Sequence, residues 1–86
     1  MAKIQLDTIV KRLKEKGKIE QELEDFLKDI NSGWDWRSLV VNQVAGYQFL
    51  KNLRNRLALF YGLDCKCRIT FDIDTKKAKI LIIKRK

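Results

Sequence analysis

Eighty-six residues, 45% hydrophobic and 35% charged, describe one ordered domain, 1–86, too short for a second core and too apolar for a disordered tail. The formal charge is +8, with no histidine and no proline, and no apolar run approaches the roughly 20 residues of a membrane-spanning helix. A membrane-spanning helix is thereby excluded, and the commonest general base and metal ligand are both missing. With no signal-like apolar stretch at Met1-Ala2-Lys3-Ile4, the expectation is a cytoplasmic protein.

The first predicted element is a short amphipathic helix. Leu6, Ile9, Val10 and Leu13 follow helical spacing, Asp7 is placed to cap it and Gly17 to end it, and five basic residues between Lys11 and Lys18 surround the stripe. Residues 2–6 also fit a short edge strand. A second helix is read from Ile19, Leu23, Phe26, Leu27 and Ile30, which share one face, with Glu20, Glu22, Glu24, Asp25 and Asp29 on the remainder and Asn31-Ser32-Gly33 as the stop.

The third helix is expected to begin at a cap on Asp35, with Trp34 stapling onto Leu39, and to run unbroken from Trp36 to about Tyr61 before Gly62. Trp36, Leu39, Val40, Gln43, Tyr47, Leu50, Leu53, Leu57 and Phe60 track one side of it. Val41, Val44 and Leu59 lie elsewhere, so the helix is expected to be wrapped by neighbours over much of its girth. Gly46 inside it suggests close packing.

From Cys65 the period changes from 3.6 to 2. Cys65, Cys67, Ile69, Phe71 and Ile73 alternate with Lys66, Arg68, Thr70, Asp72 and Asp74, a turn follows at 74–77, and the chain returns over Ala78 to Lys84. A register that sets Asp74 against Lys77, Asp72 against Lys79 and Phe71 against Ile80 matches charge to charge and core to core. The return strand is apolar on both faces, so Leu81 and Ile83 ask for a cover. The fold class is therefore α+β: three helices, the third long, packed on a C-terminal antiparallel β-hairpin that the N-terminus or dimerisation can extend to three strands.

Chemistry is sparse. Cys65 and Cys67, two apart on one side of a strand, supply neither a disulfide framework nor the four ligands of a structural zinc, and no base is available to activate them. Asp72-Ile73-Asp74-Thr75-Lys76 loosely resembles the carboxylate-and-lysine set of restriction-type nucleases, but Asp and Lys are ordinary choices for a hairpin turn. No glycine-rich phosphate loop is present. The expectation is no catalytic site, no cofactor and no metal.

Charge is distributed unevenly. Residues 19–35 hold six acids against Lys28 alone, whereas residues 36–62 hold four bases and no acid. Lys76, Lys77 and Lys79 cluster at the hairpin tip, Lys84, Arg85 and Lys86 form a basic tail, and Arg54 and Arg56 stand with Lys51, Asn52 and Asn55 on the long helix. Such residues neutralise phosphates, and Asn and Arg also read base edges. A helix followed by a basic hairpin resembles the outline of a winged-helix reader. Two features depart from it: the third helix exceeds a usual recognition helix, and no strand signal separates the first two.

Two functions remain. One is a nucleic-acid-binding module for DNA or RNA that uses Arg54, Arg56, Lys76, Lys77, Lys79, Lys84, Arg85 and Lys86. The other is a protein-binding or self-assembling regulator, of the kind common in phages and mobile elements, that uses the outer hairpin face at Thr70, Leu81 and Ile83 together with the acidic helix, with a homodimer as one form.

Overall fold

Ile9, Val10 and Leu13 of the first apolar stripe are all buried, and the chain around them is helix α1 (Ala2–Lys16). Residues 2–6 belong to this helix and not to a strand. The computed structural model describes residues 2–30 and 33–85. The stop expected at Asn31-Ser32 and the terminal Lys86 lie outside the described residues.

The next segment departs from its helical spacing. Lys18–Glu22 is a strand, β1, and helix α2 starts only at Leu23 (Leu23–Ile30). Ile19 and Leu23 are four apart, which suits a helix, yet Lys18, Glu20 and Glu22 also alternate with Ile19 and Gln21. Tertiary pairing decides between the two periods: Ile19 lies opposite Ile82, which is fully buried. Glu20 and Glu22 meet Lys79 and Lys77 diagonally across the sheet, at 3.2 and 3.4 Å. Gln21, on the inner side, donates from Nε2 to Oδ2 of Asp29 at 2.8 Å and ties β1 to α2.

The long third helix is two helices, α3 (Trp36–Val41) and α4 (Gln43–Tyr61). Asp35 caps α3 as expected, its Oδ1 accepting from the Arg37 N–H at 3.2 Å. Asn42 makes the break. Its φ of −104° and ψ of 97° leave the helical region, its N–H donates to the Ser38 carbonyl at 2.8 Å to close α3, and its side-chain oxygen accepts from Ala45 N–H at 3.2 Å to open α4. Asn competes well for such a role because its short amide offers the backbone an alternative to the helical ladder. At the other end of α4, Gly62 takes the left-handed conformation (φ 64°) and its N–H returns to Leu57 and Ala58 carbonyls.

The corner at Asn42 folds α3 back onto the first turn of α4. A Cβ on Gly46 would lie 3.0 Å from the Leu39 carbonyl oxygen. Gly46→Ala is therefore expected to destabilise the protein by about 1–2 kcal/mol, the clash outweighing the roughly 1 kcal/mol of helix propensity that alanine adds. Urea denaturation measures it, and a stabilised variant would show that the corner is free to open.

Strands β2 (Cys65–Asp72) and β3 (Lys77–Lys84) form the C-terminal hairpin, and with β1 they make an antiparallel sheet of order β1-β3-β2. The register differs by two residues from the charge-matched one: Asp72 faces Lys77, Phe71 faces Ala78 and Ile69 faces Ile80. A two-residue slip keeps every side chain on its face, so alternation alone does not choose between the two. The turn chooses. Asp72 Oδ1 accepts from the N–H of Asp74 at 2.9 Å and Thr75 at 3.4 Å, and Lys76 takes φ 56°.

Ala78, Ile80 and Ile82 face inward with Cys65 onto the helices, where Leu13, Leu23, Phe26 and Leu57 are fully enclosed. Phe49, outside the expected stripe, is core: its ring meets Phe26 edge-on at 6.4 Å and Trp34 at 6.3 Å. Counting from Trp36 through an unbroken helix misplaces Phe49, and the corner at Asn42 resets the phase. Gln43, Tyr47 and Phe60, expected on the packed side, are exposed, so α4 buries one face only.

Candidate nucleic-acid interface

The third strand settles what covers Leu81 and Ile83. β3 is the middle strand, so Ile83 sits between Lys18 and Lys66, and Leu81 between Glu20 and Arg68. Long charged side chains flank them, and their aliphatic stems leave both only half-buried. Thr70, Leu81 and Ile83 do share the outer face, but as isolated apolar positions in a charged lattice.

Of the eight basic residues expected to bind nucleic acid, the seven that the structure describes are not brought to one place. Lys76 lies exposed in the hairpin turn. Lys77 and Lys79 point to the outer face, where Glu22 and Glu20 offset their charge. Such exposed pairs add at most about 1 kcal/mol to stability, yet they cancel the local field. Lys84 and Arg85 lie at the far end of β3, roughly 24 Å from Lys77 at the usual strand rise, and Arg85 meets Asp64 at 4.0 Å. Lys86 is outside the described residues.

Arg54 and Arg56 leave α4 on opposite flanks. Arg54 is close enough to Cys67 of β2 to act on its thiol. Arg56 lines a cavity of about 310 Å³ with Ile30, Trp34 and Phe49 on the α2 side. Between them lies the solvent face of α4. Gly46, Phe49, Leu53 and Leu57 are buried, and the opposite line, Val44, Gln48, Lys51 and Asn55 at i, i+4, i+7 and i+11, is exposed. Gln48 Nε2 donates to Asn52 Oδ1 at 3.3 Å along this face. The face is about 28 Å long at 1.5 Å per residue, and no acid occurs between residues 36 and 62. Gln48 and Val44 went unselected in the sequence because nothing there says which side of α4 faces out.

The two thiols and the Tyr61 phenol are poor reagents at neutral pH. Burial raises the Cys67 thiol to about 11, with the neighbouring Cys65 adding to the shift and Arg54 and Arg85 opposing it. Burial also raises Cys65, reinforced by Asp64. Both thiols are free and protonated near pH 7, hence weak nucleophiles. A hydrogen bond to the Asp7 carboxylate, with some burial, raises Tyr61 and ties the last turn of α4 to α1. Among the described residues no group of three or more Cys, Asp or Glu side chains is placed to hold a metal ion, and no helix is long and apolar enough to cross a membrane. Comparison of the chain with family models, with curated proteins and with solved structures finds no match.

Proposed function

We propose that the protein is a nucleic-acid-binding module that reads duplex DNA with the solvent face of α4, the β2–β3 hairpin lying beside it as a wing. The observation that carries this reading is the acid-free surface of α4, with Gln48, Lys51 and Asn55 in one line and Asn52 and Arg54 on its flanks. Lys51 and Arg54 supply phosphate contacts, joined by Lys76 from the hairpin turn. The amides of Gln48, Asn52 and Asn55 match the donor–acceptor pair that adenine presents in the major groove.

Two architectural features support the same reading. β1 stands between α1 and α2, where the winged-helix outline requires a strand. The corner at Asn42 detaches α3, so the candidate reading helix begins at Gln43 rather than Trp36. A helix about 10–12 Å across matches the B-form major groove, about 12 Å wide, whereas the deep, narrow major groove of A-form RNA excludes side chains. The acidic side chains of α2 and β1 lie on other surfaces, and two of them hold Lys77 and Lys79.

Fluorescence anisotropy of labelled duplex DNA and duplex RNA tests the reading. Micromolar binding to DNA is expected at 50 mM salt, weakened about 40-fold at 200 mM if Lys51, Arg54 and Lys76 each contact a phosphate, with RNA bound more weakly. No binding at 50 mM, or an affinity indifferent to salt, sinks it.

A further inference from the structure

β2 is an edge strand of eight residues with no proline, and it presents a self-complementary sequence. The Arg85 N–H donates to the Asp64 carbonyl at 2.8 Å, in line with the β2–β3 register. Antiparallel alternation then directs the main-chain N–H and C=O of Cys65, Cys67, Ile69 and Phe71 away from β3, toward the open edge. Along the same strand, the outer-face charges run from basic to acidic: Lys66 and Arg68 first, then Asp72, with Asp74 in the turn.

We propose that this edge joins a second copy of the chain, antiparallel about a two-fold axis near Thr70, to make one continuous six-stranded sheet. Thr70 then faces its own counterpart. Arg68 meets Asp72 of the partner subunit, and Lys66 approaches Asp74 of the partner subunit. Each contact occurs twice, as an isologous interface demands. A parallel pairing would set like charge beside like. On the inner face Ile69 meets the partner's Phe71, because odd residues oppose odd ones throughout.

The groove beside this edge supplies the apolar part. It holds about 520 Å³ between β2 and the α3–α4 corner and is lined by Val40, Tyr47, Leu50, Ile69 and Phe71 among others. Tyr47 is 68% exposed, Phe71 47% and Ile73 78%, so large apolar side chains stand open beside this edge, as at association surfaces. The other edge, β1, is five residues long and carries Glu20 and Glu22 already paired within the chain, so it has no comparable pattern.

Sedimentation equilibrium of the full chain without nucleic acid provides the test, so its outcome is independent of DNA binding. A concentration-dependent dimer is expected. Lys66→Asp with Arg68→Asp places acid against acid across the axis, and Asp72→Asn with Asp74→Lys removes the acids while keeping an acceptor for the turn. Each variant alone is expected to dimerise at least about tenfold more weakly. Their equimolar mixture regains association, because only the mixed dimer sets opposite charges together on both sides. Hydrogen exchange adds a check on the surface used: the amides of Cys67, Ile69 and Phe71 slow as protein concentration rises. A monomer throughout the concentration range, variants that dimerise like the parent, or a mixture that stays monomeric overturns the proposal. So does protection of these amides by an added foreign strand alone, which would make the edge a site for a different protein.

Discussion

Neutralising Lys51 and Arg54 together, as Lys51→Gln/Arg54→Gln, is expected to weaken duplex DNA binding by about tenfold to a hundredfold near 100 mM salt and to flatten the logarithmic salt dependence by about 2, the effect of losing two phosphate contacts. The matched pair Lys77→Gln/Lys79→Gln removes the same formal charge but is expected to change affinity by less than about threefold, since those lysines, held by Glu22 and Glu20 at 3.4 and 3.2 Å, stand on the sheet face turned away from the helices. The contrast isolates geometry from net charge, because both variants carry +6 in place of +8. If the hairpin pair proves the more damaging, the interface lies on the outer face of the sheet and not on α4. Anisotropy titrations at two salt concentrations read both quantities directly.

Phe26→Ala is the core substitution with the largest expected cost, about 3–5 kcal/mol from lost burial and the cavity left behind. Phe26 is wholly enclosed on α2, and its ring meets Phe49 of α4 edge-on, so it joins the acidic helix to the proposed reading helix. A domain of this size has a total stability on the order of 4–13 kcal/mol, so the loss removes about a quarter of it or more. Urea denaturation followed by tryptophan fluorescence is well suited, because Trp34 rests against the same Phe49. A loss below about 1 kcal/mol would mean that the α2–α4 contact is loosely packed and refills around the deletion.

Much of this architecture is legible in the residues themselves. The change of period at Cys65, the alternation of β2 with β3, the cap at Asp35 and the stop at Gly62 are all local signals, and each is present in the structure, the hairpin with its register shifted by two residues. The proposed binding surface is legible only in part. Lys51, Asn52, Arg54 and Asn55 stand out as a donor-rich, acid-free run, but the direction in which each points depends on which side of α4 is buried. The segment 36–61 reads as one amphipathic helix because its apolar residues are frequent enough to satisfy more than one phase. A single Asn with a competing local hydrogen bond then changes the phase of everything after it.

By itself, then, the sequence determines the α+β class, the C-terminal hairpin with its inward face, most of the core, and the uneven charge that directs attention to a polyanion. Tertiary structure alone decides that Lys18–Glu22 is a strand, because its two competing periods are resolved only by pairing with β3. It also decides the two-residue register of the hairpin, which alternation leaves degenerate and the Asp72 turn selects. Above all it decides which basic side chains keep their charge available: the acids that offset Lys77 and Lys79 lie 55 and 59 residues away in the chain, and only the fold brings them within a few ångströms.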